Sequence, residues 1–342
     1  MGIVKSMSIQ VDIISDYYQL PLTEIVGLNN AANASFFYDV RFLKAAHYSP
    51  LLPTLKTYYF LAYQSARLVG FTVAYLQRSP DPFGSLACAT GLDFNDGLVC
   101  LGHVMHSYES EIVISTKQAG VIRGEIFKSI KSLGVLLGAK YVGLINIADD
   151  KLLAAGILEG YTSSFMWDRY YMDIALVDTV QDYIAGLPAD GRREMNRQQR
   201  KLQGSHHQVR VQSLPVENLT QIAELVCSTS ARHGTPDYYP PTAFKRFVET
   251  CAGLVRIINV QEHDQVIGVM VCFVHGKTLH IWAAGMSYDK TDFSPYSVCM
   301  LEAFRYAKYA GLDTIEIGRT NHKIKTRMGF KAKKLFSLIA SI

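Results

Sequence analysis

The sequence repeats one order of structural signals, and this internal repeat constrains the fold more than any other feature. A strand, a polar turn and a returning strand with a Val/Ile-Gly pair are indicated at residues 59–71 and again at 255–268. In each half a helical segment then ends at a glycine and leads into an apolar strand, at residues 136–145 and 309–317. The same signals in the same order indicate a duplicated domain.

A third shared signal supports the duplication. Leu158-Glu-Gly-Tyr161 in the first copy matches Arg327-Met-Gly-Phe330 in the second, and each leads into an apolar final strand. The first copy carries about 25 extra positions between its first two signals, within residues 79–115. Because long insertions in compact domains are often functional, we expect this segment to be a loop or lid at a binding site.

The composition predicts two ordinary globular domains. A chain of 342 residues exceeds what one hydrophobic core usually holds, and 49% hydrophobic with 19% charged residues excludes a disordered or fibrous protein. The six cysteines form no Cys-x-x-Cys pair, so we expect free thiols in a reducing cytoplasm. We also expect no integral membrane segment and a cytoplasmic location, because long apolar runs and a signal-peptide pattern are missing. The Met1-Gly2 start leaves lipidation open.

Basic residues are unevenly distributed, although the formal net charge is only +4. Residues 191–203 hold five Arg or Lys against one Glu, and residues 321–334 hold six against no acidic residue. Arg193, Arg197 and Arg200 stand at helical spacings of three and four and share a face. Such a face is either simply solvated or a surface for a phosphate-rich partner, because guanidinium groups bind phosphate with two hydrogen bonds.

Motifs of several other enzyme classes are missing. The sequence contains no Gly-x-Ser-x-Gly nucleophile turn, no Gly-x-Gly-x-x-Gly dinucleotide loop and no Walker loop. His103, His106 and Glu109 could suggest a metal site, but no further well-spaced ligand lies near them in the sequence. We therefore predict no metal site there. Redox cofactors and nucleotide hydrolysis are therefore not expected.

The order of hairpin strands, long helix, strand, short helix and aromatic last strand resembles the acetyltransferase (GNAT) fold. Two copies joined by the Arg-rich stretch 187–202 resemble the tandem-GNAT proteins of the Fem-like and FemAB-related acyltransferase group. Residues 232–238 with Phe244, and Glu316-Ile-Gly-Arg319 with residues 325–329, also carry the resemblance. It implies an α/β (mixed α+β) fold of two GNAT-like domains, each a mixed sheet flanked by helices. We place the domains at 1–178 and 211–342, with a basic helical bridge at 179–210.

The resemblance implies transfer of an acyl or aminoacyl group to an amine, and it implies a site in the second copy. In GNAT proteins the donor lies where the fourth and fifth strands separate, with its phosphates at the start of the next helix. That helix start falls at Ser294 and Tyr296, although the preceding loop lacks the Gly-rich acyl-CoA signature. A related stretch in the first copy, Lys117-x-x-Gly120, matches this signature only in part, and an ordinary helix start explains it equally well.

Four residues are the predicted catalytic groups of the second copy. Lys325 matches a lysine before the Leu/Met-Gly pair in the related proteins, where it would stabilise an oxyanion or hold a phosphate. A surface lysine is the alternative, and we expect its replacement to leave folding nearly intact. Arg319 is expected to point into the cleft. His280 and Glu316 are possible proton acceptors from the amine, with a structural role as the alternative for either.

The donor and the acceptor of the reaction stay open at this stage. Acyl-CoA or aminoacyl-tRNA is the expected co-substrate, and no tightly bound cofactor is expected. A tRNA would bind the bridge and the basic carboxyl-terminal segment, and the donor or its phosphates would contact Arg193, Arg197 and Arg200. The resemblance assigns recognition of a small-molecule amine, such as a cell-envelope or natural-product precursor, to Arg232, His233 and Asp237. The alternative function is non-catalytic binding of an anionic glycan precursor or nucleotide sugar.

Overall fold

The computed structural model describes residues 8–102, 106–116, 118–287 and 291–342. Met1-Gly2, His103 and Lys117, which entered the sequence-based hypotheses, lie outside the described residues. The chain divides into two compact units, one formed by Met1–Trp167 with Lys334–Ile342 and the other by Asp168–Lys333. None of the helices among the described residues is long and apolar enough to cross a membrane. All six cysteines are free, and four of them are buried.

The first unit is a mixed sheet with helices packed on it. Its elements in chain order are β1 (Ile9–Ile14), α1 (Leu22–Ala32), α2 (Val40–Tyr48), β2 (Thr54–Gln64), β3 (Arg67–Gln77), α3 (Ser85–Thr90), β4 (Leu98–Gly102), β5 (Val113–Ile114), α4 (Ala119–Leu137), β6 (Ala139–Ile147), α5 (Asp150–Leu158) and the first part of β7 (Thr162–Asp173). The last strand of the chain, β13 (Lys331–Ser341), completes the sheet order β1-β2-β3-β4-β6-β13, in which β4 and β6 run parallel. The strand β5 pairs with β3 outside this order.

Part of the segment 79–115 is a strand of the sheet and not the loop or lid that the sequence predicted. It contains β4, which pairs with β3 on one side and with β6 on the other. Val99, Cys100 and Leu101 of this strand have no exposed surface, so the strand is buried. Its continuous apolar run lacks the alternation of a half-exposed strand, so the periodicity did not identify it as part of the sheet.

The second unit repeats the same order of elements. They are α6 (Val180–Gly186), α7 (Ala189–Gln203), β8 (Gln208–Gln212), α8 (Leu219–Arg232), α9 (Pro241–Thr250), β9 (Val255–Glu262), β10 (Gln265–His275), β11 (Thr278–Met286), α10 (Pro295–Tyr309), β12 (Thr314–Arg319) and α11 (His322–Arg327). The sheet order is β7-β12-β11-β10-β9-β8, with β11 and β12 parallel. The fold is therefore the predicted mixed α/β arrangement, and α10 packs its apolar residues on one face of the sheet.

The final strands of the two copies are exchanged between the units. Residues 168–173 of β7 belong to the second unit, where they pair with β12. The end of β13 belongs to the first unit, where it pairs with β6. The basic bridge belongs to the second unit: a Cβ atom on Gly191 would lie 2.1 Å from the main-chain oxygen of Arg327, so α7 packs closely on α11. The compact units thus have bounds different from the predicted domains.

Candidate functional site

Two parallel strands separate in the middle of the second unit. The strands β11 and β12 are paired at only three positions among the described residues, and the last pair is His280 with Glu316. Each strand continues beyond this pair, to Met286 and to Arg319. Each also carries an extra residue there, because the register shifts at Trp282 and again just after Glu316. A bulge bends its strand, so the pair stands where a gap opens.

Glu316 lies in that gap between two basic side chains. Its Oε1 is 3.3 Å from Nη2 of Arg169, and its Oε2 is 3.3 Å from Nδ1 of His280. All three side chains are at most 10% exposed. Burial by itself raises the pKa of Glu316, but the contact with His280 and the charge of Arg169 outweigh it and hold the pKa below its usual value. Glu316 is therefore an ionised, buried carboxylate at neutral pH.

This cluster lies on the face of the sheet opposite to α10. Ile315 and Ile317, the neighbours of Glu316 on β12, belong to the buried core that α10 completes. Successive side chains of a strand point to opposite faces, so Glu316 points away from α10. The same face carries Trp282, which stacks on Phe244 and Phe247 of α9 at ring-centroid distances of 5.6 and 5.2 Å. These rings form an apolar, water-excluding side of the site.

Lys325 is buried, which corrects the expectation of an exposed side chain. Only 3% of its surface is accessible. Its Nζ donates hydrogen bonds to the main-chain oxygens of Ile317, at 2.9 Å, and of Arg319, and it lies 5.0 Å from the centroid of the Tyr170 ring. Burial first, and the nearby charge of Arg319 second, lower the pKa of Lys325 from 10.5 to about 7. The amine is thus poised between its charged and neutral forms near physiological pH.

The structure does not bring the four predicted catalytic residues into one cluster. Tyr170, the ring beside Lys325, belongs to the core that α10 completes, whereas its strand neighbour Arg169 contacts Glu316. Lys325 therefore lies on the α10 side of β12, and the Glu316–His280 pair lies on the other side. The two sites flank the same gap because both contact the end of β12.

Arg319 contacts a residue that the sequence analysis did not single out. Its Nη2 donates a hydrogen bond of 3.2 Å to the hydroxyl of Tyr238, which is buried. Burial first raises the pKa of Tyr238, and the charge of Arg319 opposes the shift only in part, so the hydroxyl stays protonated at neutral pH. Tyr238 directly follows Asp237 in the loop with the family pattern, and this position was the available signal. The predicted acceptor residues are exposed: Arg232 at the end of α8, and His233 and Asp237 in the loop that follows.

The amino terminus of α10 is already occupied by protein groups. The Ser294 hydroxyl accepts a hydrogen bond from the amide of Ser297 and caps the helix, as predicted from the sequence. The Ser294 amide donates to Oε1 of Gln198 at 2.7 Å, and Gln198 is a buried residue of α7. Tyr296 is partly buried and packs against the core. A phosphate at this helix start would have to replace the amide oxygen of Gln198.

The three predicted phosphate-binding arginines are exposed on α7. Arg197 donates from Nη2 to both carboxylate oxygens of Glu194, at 2.9 and 2.7 Å. Nε of Arg200 donates to the main-chain oxygen of Asn196, and Arg193 stands one turn before Arg197. The face that they share belongs to the helix whose Gln198 contacts α10. Basic groups therefore line the helix next to the α10 terminus.

The first unit also has a pair of parallel strands, β4 and β6, but it has different residues at the corresponding positions. Counted from the glycine that ends the preceding helix in each copy, Gly143 corresponds to Glu316, and Gly143 pairs with Leu101 as Glu316 pairs with His280. Leu101 is fully buried, and a Cβ atom on Gly143 would lie 1.8 Å from the main-chain oxygen of Leu338. Gly156 stands where Lys325 stands in the second copy, four residues before the shared glycine. The first unit thus lacks the ionisable groups of the second at these positions.

Part of the second unit is similar to a known protein family. Residues 189–328 match the family described as the acetyltransferase (GNAT) domain. No curated protein matches the sequence. Among solved structures, FemX has 11% identity and a TM-score of 0.65, covering 95% of this chain and 96% of its own. A tandem GNAT protein from the clavulanic acid biosynthesis pathway has 9% identity and a TM-score of 0.57, covering 97% and 98%. L-PGS from Bacillus licheniformis has 11% identity and a TM-score of 0.54, covering 95% and 92%.

The second unit is therefore similar to the GNAT domain over residues 189–328, and the whole chain has the fold of the tandem GNAT proteins. The resemblance to the Fem-like and tandem-GNAT group that the sequence indicated is confirmed. At these low identities the structural likeness defines the fold and not the substrates.

Proposed function

We propose that the second unit transfers an acyl or aminoacyl group from a thioester or ester donor to an amine. The observation that carries the proposal is the buried His280–Glu316 pair at the point where β11 and β12 separate. A gap between separated strands gives a substrate access to main-chain groups that pairing would otherwise occupy. In the GNAT arrangement this gap is where donor and acceptor meet, and this chain has its ionisable groups on both sides of it.

On the side away from α10, His280 is the proposed base. The contact of its Nδ1 with the Glu316 carboxylate favours the tautomer with the proton on Nδ1, which leaves the lone pair on Nε2. That lone pair can accept the proton that the amine releases when it attacks the carbonyl carbon. Arg169 holds Glu316 from the other side and keeps its charge in place. Glu316 is therefore a positioning residue, and His280 takes the proton.

On the α10 side, Lys325 is the proposed partner of the donor carbonyl. Its N–H groups already point at the end of β12, where they bind the oxygens of Ile317 and Arg319. In its charged form the amine has a third donor for an oxyanion that develops at the carbonyl. A cation held in a buried position stabilises such charge more strongly than one in water. Collapse of the tetrahedral intermediate then expels the thiolate or alkoxide of the donor, which takes up a proton.

Aminoacyl-tRNA is the donor that we favour over acyl-CoA. The terminus of α10, where an acyl-CoA would place its phosphates, is engaged by Gln198, and the preceding loop lacks the Gly-rich signature. The exposed basic residues of α7 lie on the same helix as Gln198 and suit a donor with many phosphates. Acyl-CoA stays the alternative donor, and a small-molecule amine is the acceptor.

The test is transfer itself, measured by mass spectrometry of the product. The protein is incubated with acyl-CoA thioesters, with aminoacyl-tRNA and with a panel of amines. Glu316→Gln and Lys325→Met should lower kcat by roughly 10- to 1000-fold, the range for losing one group that supports the transition state. Glu302→Gln and Lys308→Met are matched controls, because Glu302 pairs with Arg305 and Lys308 donates to the oxygen of Ile174.

Two results would overturn parts of this proposal. Full transfer activity in both Glu316→Gln and Lys325→Met would exclude the gap as the reaction site. Donor binding without product in every combination would favour the non-catalytic alternative, a binding module for an anionic glycan precursor or nucleotide sugar. If the donor is an aminoacyl-tRNA, the double variant Arg197→Glu with Arg200→Glu should bind the donor more weakly and with a smaller salt dependence. Salt-independent transfer from acyl-CoA would favour acyl-CoA as the donor.

A further inference from the structure

A second cluster of ligating side chains lies outside the gap, at the edge of the sheet of the second unit. His206 and His207 connect α7 to β8, and Glu262 is the last residue of β9. The strands pair antiparallel with Gln208 opposite Gln261, so the next position along brings His207 opposite Glu262. The backbone thus holds two imidazoles and a carboxylate together although the sequence separates them by more than fifty residues.

The distances in this cluster are close to those of a metal site. Nε2 of His206 is 3.0 Å and Nε2 of His207 is 3.9 Å from the same carboxylate oxygen, Oε1 of Glu262. The three ligand atoms all lie within 4.8 Å of one another. Ligand atoms about 2.0 Å from a tetrahedral Zn²⁺ would be about 3.3 Å apart, so small side-chain rotations close the site.

The second observation is the state of the His207 ring. Its side chain is only 7% exposed, and neither ring nitrogen has a hydrogen-bond partner among the described residues. It packs edge-on against Phe293 at a centroid distance of 5.0 Å and stacks on His206 at 4.9 Å. Buried polar groups nearly always have a partner, because an unsatisfied one destabilises the fold. A ligand bound by Nε2 would supply the missing partner.

We propose that His206, His207 and Glu262 bind a Zn²⁺ ion. Two neutral imidazoles and one carboxylate are a common ligand set for this metal. Nε2 of His206 and Oε1 of Glu262 lie 3.0 Å apart and share a proton, and a bound cation would take the place of that proton. His263, whose ring centroid is 5.8 Å from that of His206, or a water takes the fourth position. The ion would tie the end of α7 to the edge of the sheet.

The site is tested by calorimetric titration of ZnCl₂ into chelator-treated, tag-free full-length protein. We expect one Zn²⁺ per chain, at least a tenfold loss of affinity in His207→Ala, and a comparable loss in Glu262→Gln. Asp264→Asn is the matched control, because it removes the same charge from an exposed residue of the same turn and should leave the affinity unchanged. The intact fold of each variant is checked by circular dichroism.

Cobalt provides a readout of geometry that does not depend on activity. Co²⁺ bound by these ligands should give the visible absorption of a four-coordinate ion, and His207→Ala should abolish it. Binding of equal strength in the wild type, His207→Ala and Glu262→Gln would overturn the proposal, as would the absence of stoichiometric binding. His263→Ala then distinguishes the fourth ligand: a weaker site indicates His263, and an unchanged site indicates water.

Discussion

Replacing Lys325 by Met should change how the stability of the protein depends on pH. Burial lowers the pKa of Lys325 to about 7 in the folded protein, from 10.5 when it is solvated. Between these two values the unfolded chain binds a proton that the folded protein releases, so the free energy of unfolding rises with pH. Below pH 7 both states are protonated, and the cost of burying the charge is fully present.

The size of the effect follows from the titration of this one group. Each pKa unit corresponds to about 1.4 kcal/mol, and between pH 7 and pH 9 the folded protein loses most of its proton while the unfolded chain keeps it. The wild type should therefore gain about 2 kcal/mol of stability relative to Lys325→Met over this interval. Loss of the hydrogen bonds to Ile317 and Arg319 adds an offset that is the same at every pH.

The measurement is urea unfolding of both proteins at pH 6, 7, 8 and 9, because the difference between them cancels all other titrating groups. Lys308→Met serves as the control, since Lys308 also donates to a main-chain oxygen but is only partly buried. A stability difference between wild type and Lys325→Met that stays constant from pH 6 to pH 9 would refute a pKa near 7. A fall instead of a rise would show that the charged form is the stabilised one.

Two further predictions concern Tyr238, beside the gap, and Gly102, in the first unit. Tyr238→Phe removes the hydrogen bond from Arg319, and we expect kcat/KM for transfer to fall several-fold while urea unfolding changes by only about 1 kcal/mol. An unchanged kcat/KM would separate Tyr238 from the reaction. Gly102→Ala places a methyl group against Leu144 in the first unit and should destabilise the protein by about 1–3 kcal/mol. Transfer per folded molecule should stay at the wild-type level, and a selective loss of transfer would mean that the first unit takes part.

Local signals in the sequence were sufficient for the element order and for the strands that carry two residues of the candidate site. The glycine before β12 and its counterpart before β6 end helices in the left-handed conformation, which only glycine adopts readily, so the repeat could be read from them. Ser294 with Pro295 correctly predicted the start of α10. The sequence also placed Glu316 and His280 on apolar strands, where polar side chains stand out, and their catalytic role stays a prediction.

Contacts between distant segments could not be predicted in the same way. Arg169 meets Glu316 only because β7 pairs with β12, and nothing local specifies that pairing. The burial of Lys325 depends on Tyr170, which lies in β7 next to Arg169. In the sequence, Lys325 stands in a basic segment, and such a segment predicts an exposed side chain. His207 and Glu262 likewise meet across paired strands. Long-range register, and not residue type, decided each of these cases.

The bulge in β12 gives a final prediction in which the first copy serves as the precedent. Gly318 has a φ angle of +66°, and Asn146, which holds the same place in the bulge of β6, has a φ angle of +63°. Asparagine adopts this left-handed conformation far more readily than alanine does. Gly318→Ala should therefore destabilise the protein by about 1 kcal/mol or more, and Gly318→Asn should cost less. Urea unfolding measures both changes. Because the bulge orients the carbonyl groups that bind Lys325, transfer should follow the same order. If Gly318→Asn is at least as damaging as Gly318→Ala in both assays, the bulge in β12 is not held by the conformation that the two copies share.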